Sequence, residues 1–252
     1  MSDLALAAAR ILPLVDLTSL RDEDTQADIQ ALCRKARTPA GDVAAVCVLA
    51  RLVPTARAAR PGSGIKVATV ANFPAGDDDP HRAASETSAA VAAGADEVDV
   101  VFPWRAFLGG AAGHGQRLVA ACREAAAGHV LKVILETGAF PDTAAIAAAA
   151  REAVAGGADF LKTSTGKREP GATPAAVAAL LAVIAAMPVN AAGRPVGLKI
   201  SGGVRTAGQA ATYLAQVDRM LGPGWATPRT LRFGASALVD DLVATLRPPG
   251  GA

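Results

Sequence analysis

The sequence predicts an α/β fold in which parallel strands close into a (β/α)8 barrel, a TIM barrel, with a short extra N-terminal helix. Eight short apolar runs alternate with helical patterns along the chain, which is typical of a parallel β/α array. The length of 252 residues matches the roughly 250 that such a barrel needs. No shift in composition marks a domain boundary, so we expect one barrel domain over 1–247 and a disordered tail over 248–252. Periodicity alone leaves a doubly wound sheet open as the alternative.

Each predicted strand is a short, mostly apolar run followed by a polar or glycine-containing turn. Barrels of this type carry their chemistry at the carboxyl ends of the strands, so the residues at those ends are the candidates for a site. In chain order the runs are Ile11–Asp16, Val43–Leu49, Ile65–Ala71, Glu97–Phe102, Val130–Glu136, Ala158–Thr163, Val196–Ile200 and Leu231–Gly234.

The predicted helices lie between these runs, and two of them carry clear start signals. Thr173 places a capping hydroxyl before a proline at the first helical position. Thr206 and Gln209 have the spacing of a capping box, in which a hydroxyl and an amide satisfy the first backbone N–H groups reciprocally. The predicted ranges are about 1–10, 24–37, 51–60, 80–93, 116–127, 141–155, 174–187, a stretch starting after Thr206, and 236–246.

Composition excludes several classes of partner. Apolar residues make up 51% of the chain, enough for a substantial core, and a formal charge of +2 gives no reason to expect a nucleic acid or a membrane surface. Two tryptophans and one tyrosine are too few for a base-stacking platform. The apolar stretch 175–187 is too short to span a bilayer. We therefore expect small-molecule partners, and the sequence leaves open whether the chain forms a homodimer.

Cysteine and histidine usage indicates a cytoplasmic protein without a metal site. Cys33, Cys47 and Cys122 are odd in number and far apart, so they form neither a disulfide framework nor a zinc pattern. Free thiols suit a reducing cytoplasm, and the N-terminus does not resemble a signal peptide. The three histidines are scattered without ligand spacing, and we expect neither a metal nor a cofactor.

The lysines are the most informative residues, because the chain has six of them against nineteen arginines. Lys66, Lys132, Lys162 and Lys199 all stand in apolar, strand-like runs, where burial disfavours an ammonium group. A lysine that is neutral near pH 7 is a nucleophile, and with a carbonyl substrate it forms a Schiff base. The alternative is that these lysines extend to solvent or form ion pairs at strand ends.

Two of these lysines belong to adjacent predicted strands. Side chains repeat every two residues along a strand, so Lys162 and Lys199 would meet if their faces point into the barrel. Two ammonium groups at that range cannot both be charged comfortably, so the pKa of one falls while nearby acids keep the other protonated. The alternative is a buried ring of ion pairs that only fills the barrel. Three acids are available for either arrangement: Asp16, Asp99 and Glu136.

A second group of residues predicts anion binding. Ser201–Thr206 follows the seventh strand and Gly234–Ser236 follows the eighth, and each turn precedes a helix. Glycines let backbone N–H groups approach a phosphate, and a helix N-terminus favours negative charge. Barrels frequently bind phosphate at these two loops, and Gly166 with Lys167 would add a third edge and a point charge.

Seven blocks of the sequence together resemble the deoxyribose-phosphate aldolase family. The resemblance implies a metal-independent class I lyase on a barrel fold, which cleaves 2-deoxy-D-ribose 5-phosphate reversibly to acetaldehyde and D-glyceraldehyde 3-phosphate. It also implies a role in carbohydrate degradation and deoxyribonucleotide catabolism. The blocks are Asp16–Thr18, Asn72–Pro74, Ala95–Val101, Leu131–Gly138, Lys162–Gly166, Ser201–Thr206 and Arg232–Ser236.

The resemblance also implies roles for individual residues. Lys162 would form the Schiff base, Lys199 would perturb its pKa and relay protons, and Asp99 would shuttle a proton through water. Asp16, Cys47, Lys132 and Thr165 would contact the substrate. The implied phosphate ligands are Gly166, Lys167, Gly202, Gly203, Val204, Arg205, Gly234 and Ser236.

Two departures from the family pattern concern the phosphate loop and the tail. Position 237 is alanine where relatives often carry a second serine, and the tail lacks the C-terminal tyrosine that some relatives fold over the site. Tyr213 is predicted in the middle of a helix and cannot replace it. Two other functions remain open at this point: another phosphosugar enzyme such as an isomerase, and a barrel that binds a phosphosugar without turnover.

Overall fold

Eight parallel strands form a closed barrel in the computed structural model, which describes residues 2–60 and 64–247. Each strand pairs with its neighbour in the chain, and the eighth pairs with the first, with Val15 opposite Phe233. This closure confirms the barrel and excludes the doubly wound sheet; the predicted tail lies outside the described residues. The strands β1 to β8 are Val15–Thr18, Ala45–Cys47, Lys66–Ala71, Glu97–Val101, Val130–Ile134, Phe160–Lys162, Gly197–Ser201 and Leu231–Ala235.

Ten α-helices lie in the described part of the chain, and the first of them is the predicted extra N-terminal helix. The Thr173 hydroxyl caps its helix ahead of Pro174, and Thr206 with Gln209 forms a complete capping box, as predicted. The longest helix has 15 residues, and none of the described helices is long and apolar enough to cross a membrane. The helices α1 to α10 are Asp3–Ile11, Gln26–Lys35, Val53–Ala58, Pro80–Ala92, Trp104–Leu108, His114–Ala125, Thr143–Ala155, Pro174–Ala186, Ala207–Leu221 and Leu238–Leu246.

The predicted first strand starts four residues too early. Ile11 ends α1, a 3-10 turn covers Leu12–Leu14, and β1 begins only at Val15. The apolar run is continuous because Leu12 and Leu14 are buried in this turn just as strand residues would be. A short apolar run cannot distinguish a buried helical turn from a buried strand.

Three shorter features also differ from the prediction. The fifth strand ends at Ile134, and Glu136 adopts a left-handed conformation with φ of 61°, so it does not continue the face of Lys132. The five-residue helix α5 and a two-stranded ribbon, which pairs Arg37–Thr38 with Gly41–Asp42, were not predicted. Such short elements complete too few periods to leave a pattern in the sequence.

The structure has two apolar cores, one outside the barrel and a smaller one inside it, and the rest of the barrel interior is charged. The larger core lies between the outer faces of the strands and the helices, and includes Phe233 and Leu161. A small second core, made of Leu20, Ala45, Cys47, Ala68 and Val70, fills the inside of the barrel next to β2 and β3. The remaining interior, next to the other six strands, holds charged side chains.

Candidate active site

Charged side chains from six strands meet inside the barrel, and we call this set the interior ring. All of its members are buried, with at most 5% of any residue exposed. They come from β1, β4, β5, β6, β7 and β8, because inward-facing positions alternate along each strand. Within the described residues, the members are Asp16, Glu97, Asp99, Lys132, Lys162, Lys199 and Arg232.

Asp99 is the centre of the interior ring because three lysines share its carboxylate. Oδ1 accepts a hydrogen bond from Lys132 Nζ, and Oδ2 accepts from Lys162 Nζ and Lys199 Nζ, each at 2.8 Å. Burial opposes ionisation, but the positive charge of the surrounding lysines outweighs it and holds the pKa of Asp99 well below its usual range. Asp99 is therefore a carboxylate throughout the physiological range.

Lys199 is held in its charged form. Its Nζ lies 2.6 Å from Asp16 Oδ2 and 2.8 Å from Asp99 Oδ2. Burial lowers the pKa of Lys199, but the two carboxylates overcome it and raise that pKa above its ordinary value. Gly234 makes room for this side chain, since a Cβ there would lie 3.0 Å from Lys199 Cε.

Lys162 differs from the other two lysines of the ring. Among the described residues its only ion-pair partner is Asp99, which it shares. Burial lowers the pKa of Lys162; Asp99 opposes this effect and the Lys199 ammonium adds to it, so the net pKa is below the ordinary lysine value. Its side chain is also 4% exposed, whereas those of Lys132 and Lys199 are 0% and 1% exposed. Lys162 is thus the lysine best suited to act as a nucleophile.

A cavity of about 580 Å³ opens above Lys162, at the carboxyl ends of β1, β6, β7 and β8. The structure brings all eight predicted phosphate ligands to its wall, together with Thr165. Asp16, Cys47 and Lys132 lie fully buried beneath it. The wall also includes Ser201 and Ala235, which belong to the two predicted anion-binding turns. Further wall residues that were not predicted as site residues are Thr18, Ser19, Leu20, Arg21, Arg168 and Glu169.

The glycine turn after β7 has the geometry that close approach to an anion requires. Gly202 and Gly203 have positive φ angles of 91° and 86°, a region that other residues rarely adopt. A Cβ at Gly202 would lie 2.9 Å from Gly171 Cα, so this turn also packs directly against the loop after β6. After β8, α10 begins at Leu238, and its N-cap residue Ala237 makes no side-chain hydrogen bond, so no side-chain cap occupies the first N–H groups of the helix.

Positive charge surrounds the mouth of the cavity. Lys167, Arg168 and Arg205 are exposed, and none of them has an ion pair with a described residue. The Arg168 guanidinium lies 5.4 Å from the centre of the Trp104 ring, and Arg21 is paired with Asp24. Arg168 directly follows the Gly166–Lys167 pair, and this adjacency was the signal in the sequence that could have identified it.

Glu136 was available in the sequence as an acid for the lysines, and the structure corrects this. Its carboxylate accepts hydrogen bonds from Thr165 Oγ1 at 2.5 Å and from Thr165 N at 3.2 Å. Thr165 Oγ1 in turn accepts from Lys167 N at 3.1 Å. Glu136 therefore fixes the loop after β6. Lys66 is likewise outside the ring, because it is exposed at the start of β3.

The alternative of lysines extending to solvent is wrong for Lys132, Lys162 and Lys199, whose ammonium positions are all buried in ion pairs. Cys47 lies beside them, and burial raises the pKa of its thiol. In the described part of the chain, no group of three or more His, Cys, Asp and Glu side chains is arranged to hold a metal ion. The reactive groups that the site presents are the Lys162 amine and the neighbouring carboxylate and ammonium groups, which can exchange protons with it.

Comparison with known proteins agrees with this geometry. The family model for DeoC/LacD family aldolases matches residues 10–237. Two crystal structures of a proposed deoxyribose-phosphate aldolase from Toxoplasma gondii ME49 superpose with TM-scores of 0.86 and 0.87 at 26% identity, each over 96% of this chain and over 94% and 96% of theirs. A proposed deoxyribose-phosphate aldolase from Coccidioides immitis gives 0.76 at 28% identity, over 92% of this chain and 85% of its own.

The fold is shared more widely. The deoxyribose phosphate aldolase of Aeropyrum pernix, whose structure is tetrameric, superposes with a TM-score of 0.75 at 22% identity over 96% of both chains. The barrel, its lysine-containing interior and these matches define the protein as an aldolase, a lyase that makes and breaks carbon–carbon bonds. More particularly, the chain belongs to the DeoC/LacD family of aldolases.

Proposed function

We propose that this aldolase cleaves 2-deoxy-D-ribose 5-phosphate reversibly to acetaldehyde and D-glyceraldehyde 3-phosphate through a Schiff base on Lys162. The observation that carries the proposal is the position of Lys162, whose amine has a lowered pKa and lies at the floor of a cavity lined by the glycine turns after β7 and β8. The similar structures from Toxoplasma gondii and Coccidioides immitis support the choice of substrate.

The first half of the reaction forms the covalent bond. The neutral Lys162 amine attacks the aldehyde carbon of the open-chain sugar, and loss of water gives an iminium ion. The departing hydroxyl needs a proton, and Lys199 is the nearby group that holds one, since its pKa is raised by Asp16 and Asp99. Asp99 is a carboxylate at rest, so it is available to accept a proton transiently and to pass it on between the lysines and a water molecule.

In the second half, the bond between C2 and C3 breaks. The C3 hydroxyl gives up its proton through a water molecule to Asp99, which later returns it to the enamine. D-glyceraldehyde 3-phosphate leaves, and the electron pair of the bond moves into an enamine on Lys162. Protonation of that enamine at C2 and hydrolysis then release acetaldehyde and restore the amine. No metal is required, because the iminium nitrogen accepts the electrons.

Phosphate binding would hold the other end of the substrate. In this proposal the N–H groups of Gly202, Gly203 and Ser236 donate to the phosphate, and Lys167 and Arg205 supply charge. Three of the predicted substrate contacts are buried beneath the cavity: Asp16, Cys47 and Lys132. We therefore assign Asp16 and Lys132 to keeping the ion pairs of the interior ring in place, and Cys47 to the cavity floor.

We also propose a cytoplasmic location, a role in deoxyribonucleotide catabolism, and assembly as a homodimer. The three cysteines are free and buried, which suits a reducing compartment. Light scattering on the purified protein measures the assembly state directly, and a monomer at micromolar concentration would remove that part of the proposal.

The test of the covalent step is chemical trapping. Acetaldehyde with borohydride should reduce the Schiff base to a stable secondary amine, and peptide mass mapping should place the label on Lys162. Lys162→Arg keeps the charge but cannot form the imine, so it should abolish both trapping and cleavage. Lys35→Arg, on the exposed face of α2, is the matched control and should leave both unchanged.

The outcomes separate the alternatives. A label on Lys132 or Lys199 would move the nucleophile but keep the Schiff-base mechanism. Absence of any label, with deoxyribose 5-phosphate untouched, would overturn the proposal and leave a phosphosugar isomerase or a non-catalytic binding barrel to be tested.

A further inference from the structure

The interior ring is unbalanced in charge. Among the described residues it contains three carboxylates, from Asp16, Glu97 and Asp99, and four basic side chains. With every base protonated the buried ring would carry one uncompensated positive charge, which is unfavourable in an interior of low dielectric constant. One base therefore gives up its proton.

The contacts decide which base that is. Arg232 cannot lose its proton in a protein. Lys132 has Glu97 at 2.6 Å and Asp99 at 2.8 Å, and Lys199 likewise has two carboxylates within 2.8 Å. Lys162 has one, shared with both other lysines. The missing proton therefore belongs to Lys162.

Arg232 is the residue that makes the bases outnumber the acids. Its Nη1 donates to Asp16 Oδ1 at 2.6 Å, and Nη2 donates to Glu97 Oε1 at 2.8 Å. Its Nε donates to Pro228 O at 2.5 Å, so the guanidinium is held from three sides. Arg232 is absent from the cavity wall, so we expect no contact between it and the substrate.

We propose that Arg232 is a positioning residue that keeps the Lys162 amine deprotonated. It forms ion pairs with Asp16 and Glu97, whose carboxylates would otherwise be free to stabilise the protonated form of all three lysines. This inference rests on the proposed function, in which that amine is the nucleophile. The groups that act directly on Lys162 are Asp99 from β4, Lys199 from β7 and Cys47 from β2. The remaining charged groups act through these, by the ion pairs of the ring: Asp16 from β1, Glu97 from β4, Lys132 from β5 and Arg232 from β8.

The test is the pH dependence of acetaldehyde trapping on Lys162. Arg232→Gln leaves three carboxylates facing three lysines, so Lys162 gains a proton. The midpoint of the trapping profile should move up by about one pH unit or more, with trapping at pH 7 about tenfold slower and recovery at higher pH. A change in packing alone would lower the rate at every pH without moving the midpoint.

Two further variants change the balance in known directions. Glu97→Gln removes a carboxylate and should move the midpoint down. The double variant Arg232→Gln/Glu97→Gln restores the excess of one base over the acids and should return the midpoint toward that of the original protein. Arg123→Gln is the control, since it breaks a partly buried arginine pair with Asp159 at the opposite end of β6. It should lower stability and leave the profile in place.

Each result bears on the inference separately from the proposed function. An unshifted midpoint in folded Arg232→Gln, or a shift in the same direction for Glu97→Gln, would overturn the role of Arg232. If Arg232→Gln fails to fold, Glu97→Gln and the double variant decide the matter in the same way. If the original protein is not labelled on Lys162 at all, the proposed function fails first.

Discussion

At the scale of single residues, the sharing of Asp99 distinguishes three lysines that look equivalent in the sequence. Lys132 and Lys199 each have a second carboxylate and are held as ammonium groups. Lys162 has none and has the lowered pKa. In the proposed mechanism, the choice of nucleophile thus depends mainly on the number of carboxylate partners, because all three side chains are buried.

A substitution at Gly234 tests this arrangement of the lysines. In Gly234→Ala the new methyl group would lie 3.0 Å from both Lys199 Cε and Ser201 Cβ, tighter than ordinary contact. The strand is held by its ladder, so Lys199 has to move away from Asp16 and Asp99. We expect kcat to fall about tenfold or more, since catalytic geometry tolerates little displacement.

Gly208→Ala is the matched control for that change. Gly208 lies in α9, where an added methyl group meets nothing within 4 Å. Alanine should stabilise the helix by up to about 1 kcal/mol and leave kcat unchanged. Equal activity of the two variants would show that Lys199 does not depend on the space at Gly234.

At the scale of elements, strand alternation predicted that Lys162 and Lys199 meet, and their strands do pair them in register. The pairing of Arg232 with Glu97 could not be predicted, because these residues lie on β8 and β4 and meet only across the closed barrel. The left-handed backbone conformation of Glu136 could not be predicted either, since nothing in the local sequence distinguishes it from a residue that continues the strand.

The start of α10 carries a prediction about phosphate affinity. Ala237 occupies the N-cap position and provides no side-chain hydrogen bond. Ala237→Ser adds one hydroxyl beside Ser236, which can donate a hydrogen bond to the phosphate. It should therefore lower KM for the phosphorylated substrate, with a gain in binding free energy of roughly 0.5–1.5 kcal/mol. The same hydroxyl can cap the helix, which would raise the free energy of unfolding by about 1 kcal/mol.

Measuring both quantities separates the two effects. A rise in thermal stability with unchanged KM would assign the hydroxyl to the helix alone and place the phosphate away from position 237. Unphosphorylated 2-deoxyribose is the control substrate, and its KM should not respond to the substitution.

At the scale of the whole molecule, the fold class could be predicted because eight short apolar runs alternate with helical patterns. The exact strand ends could not, as Leu12–Leu14 shows. The interior ring also couples folding to pH. Asp16 and Asp99 have folded-state pKa values below those of an unfolded chain, so the unfolded state binds more protons in acid.

The sign of this coupling gives a measurable outcome. Stability from these two carboxylates is present in full above the unfolded pKa of about 4 and is lost as the pH falls below it. Urea unfolding midpoints should therefore decrease steeply from pH 5 toward pH 3. In Asp99→Asn that decrease should be shallower, and an identical slope in the variant would exclude Asp99 as a source of the coupling.

The unequal numbers of acids and bases in the ring also bear on the direction of the reaction. In the proposed mechanism, addition of the aldehyde turns the neutral Lys162 nitrogen into a cationic iminium at the expense of a proton from Lys199. Once Lys199 has regained its proton from water, the interior carries the positive charge that it had excluded. Breaking the C2–C3 bond converts that iminium into a neutral enamine and removes the charge again. The electrostatic work stored on forming the first intermediate is thus returned in the step that cleaves the carbon skeleton.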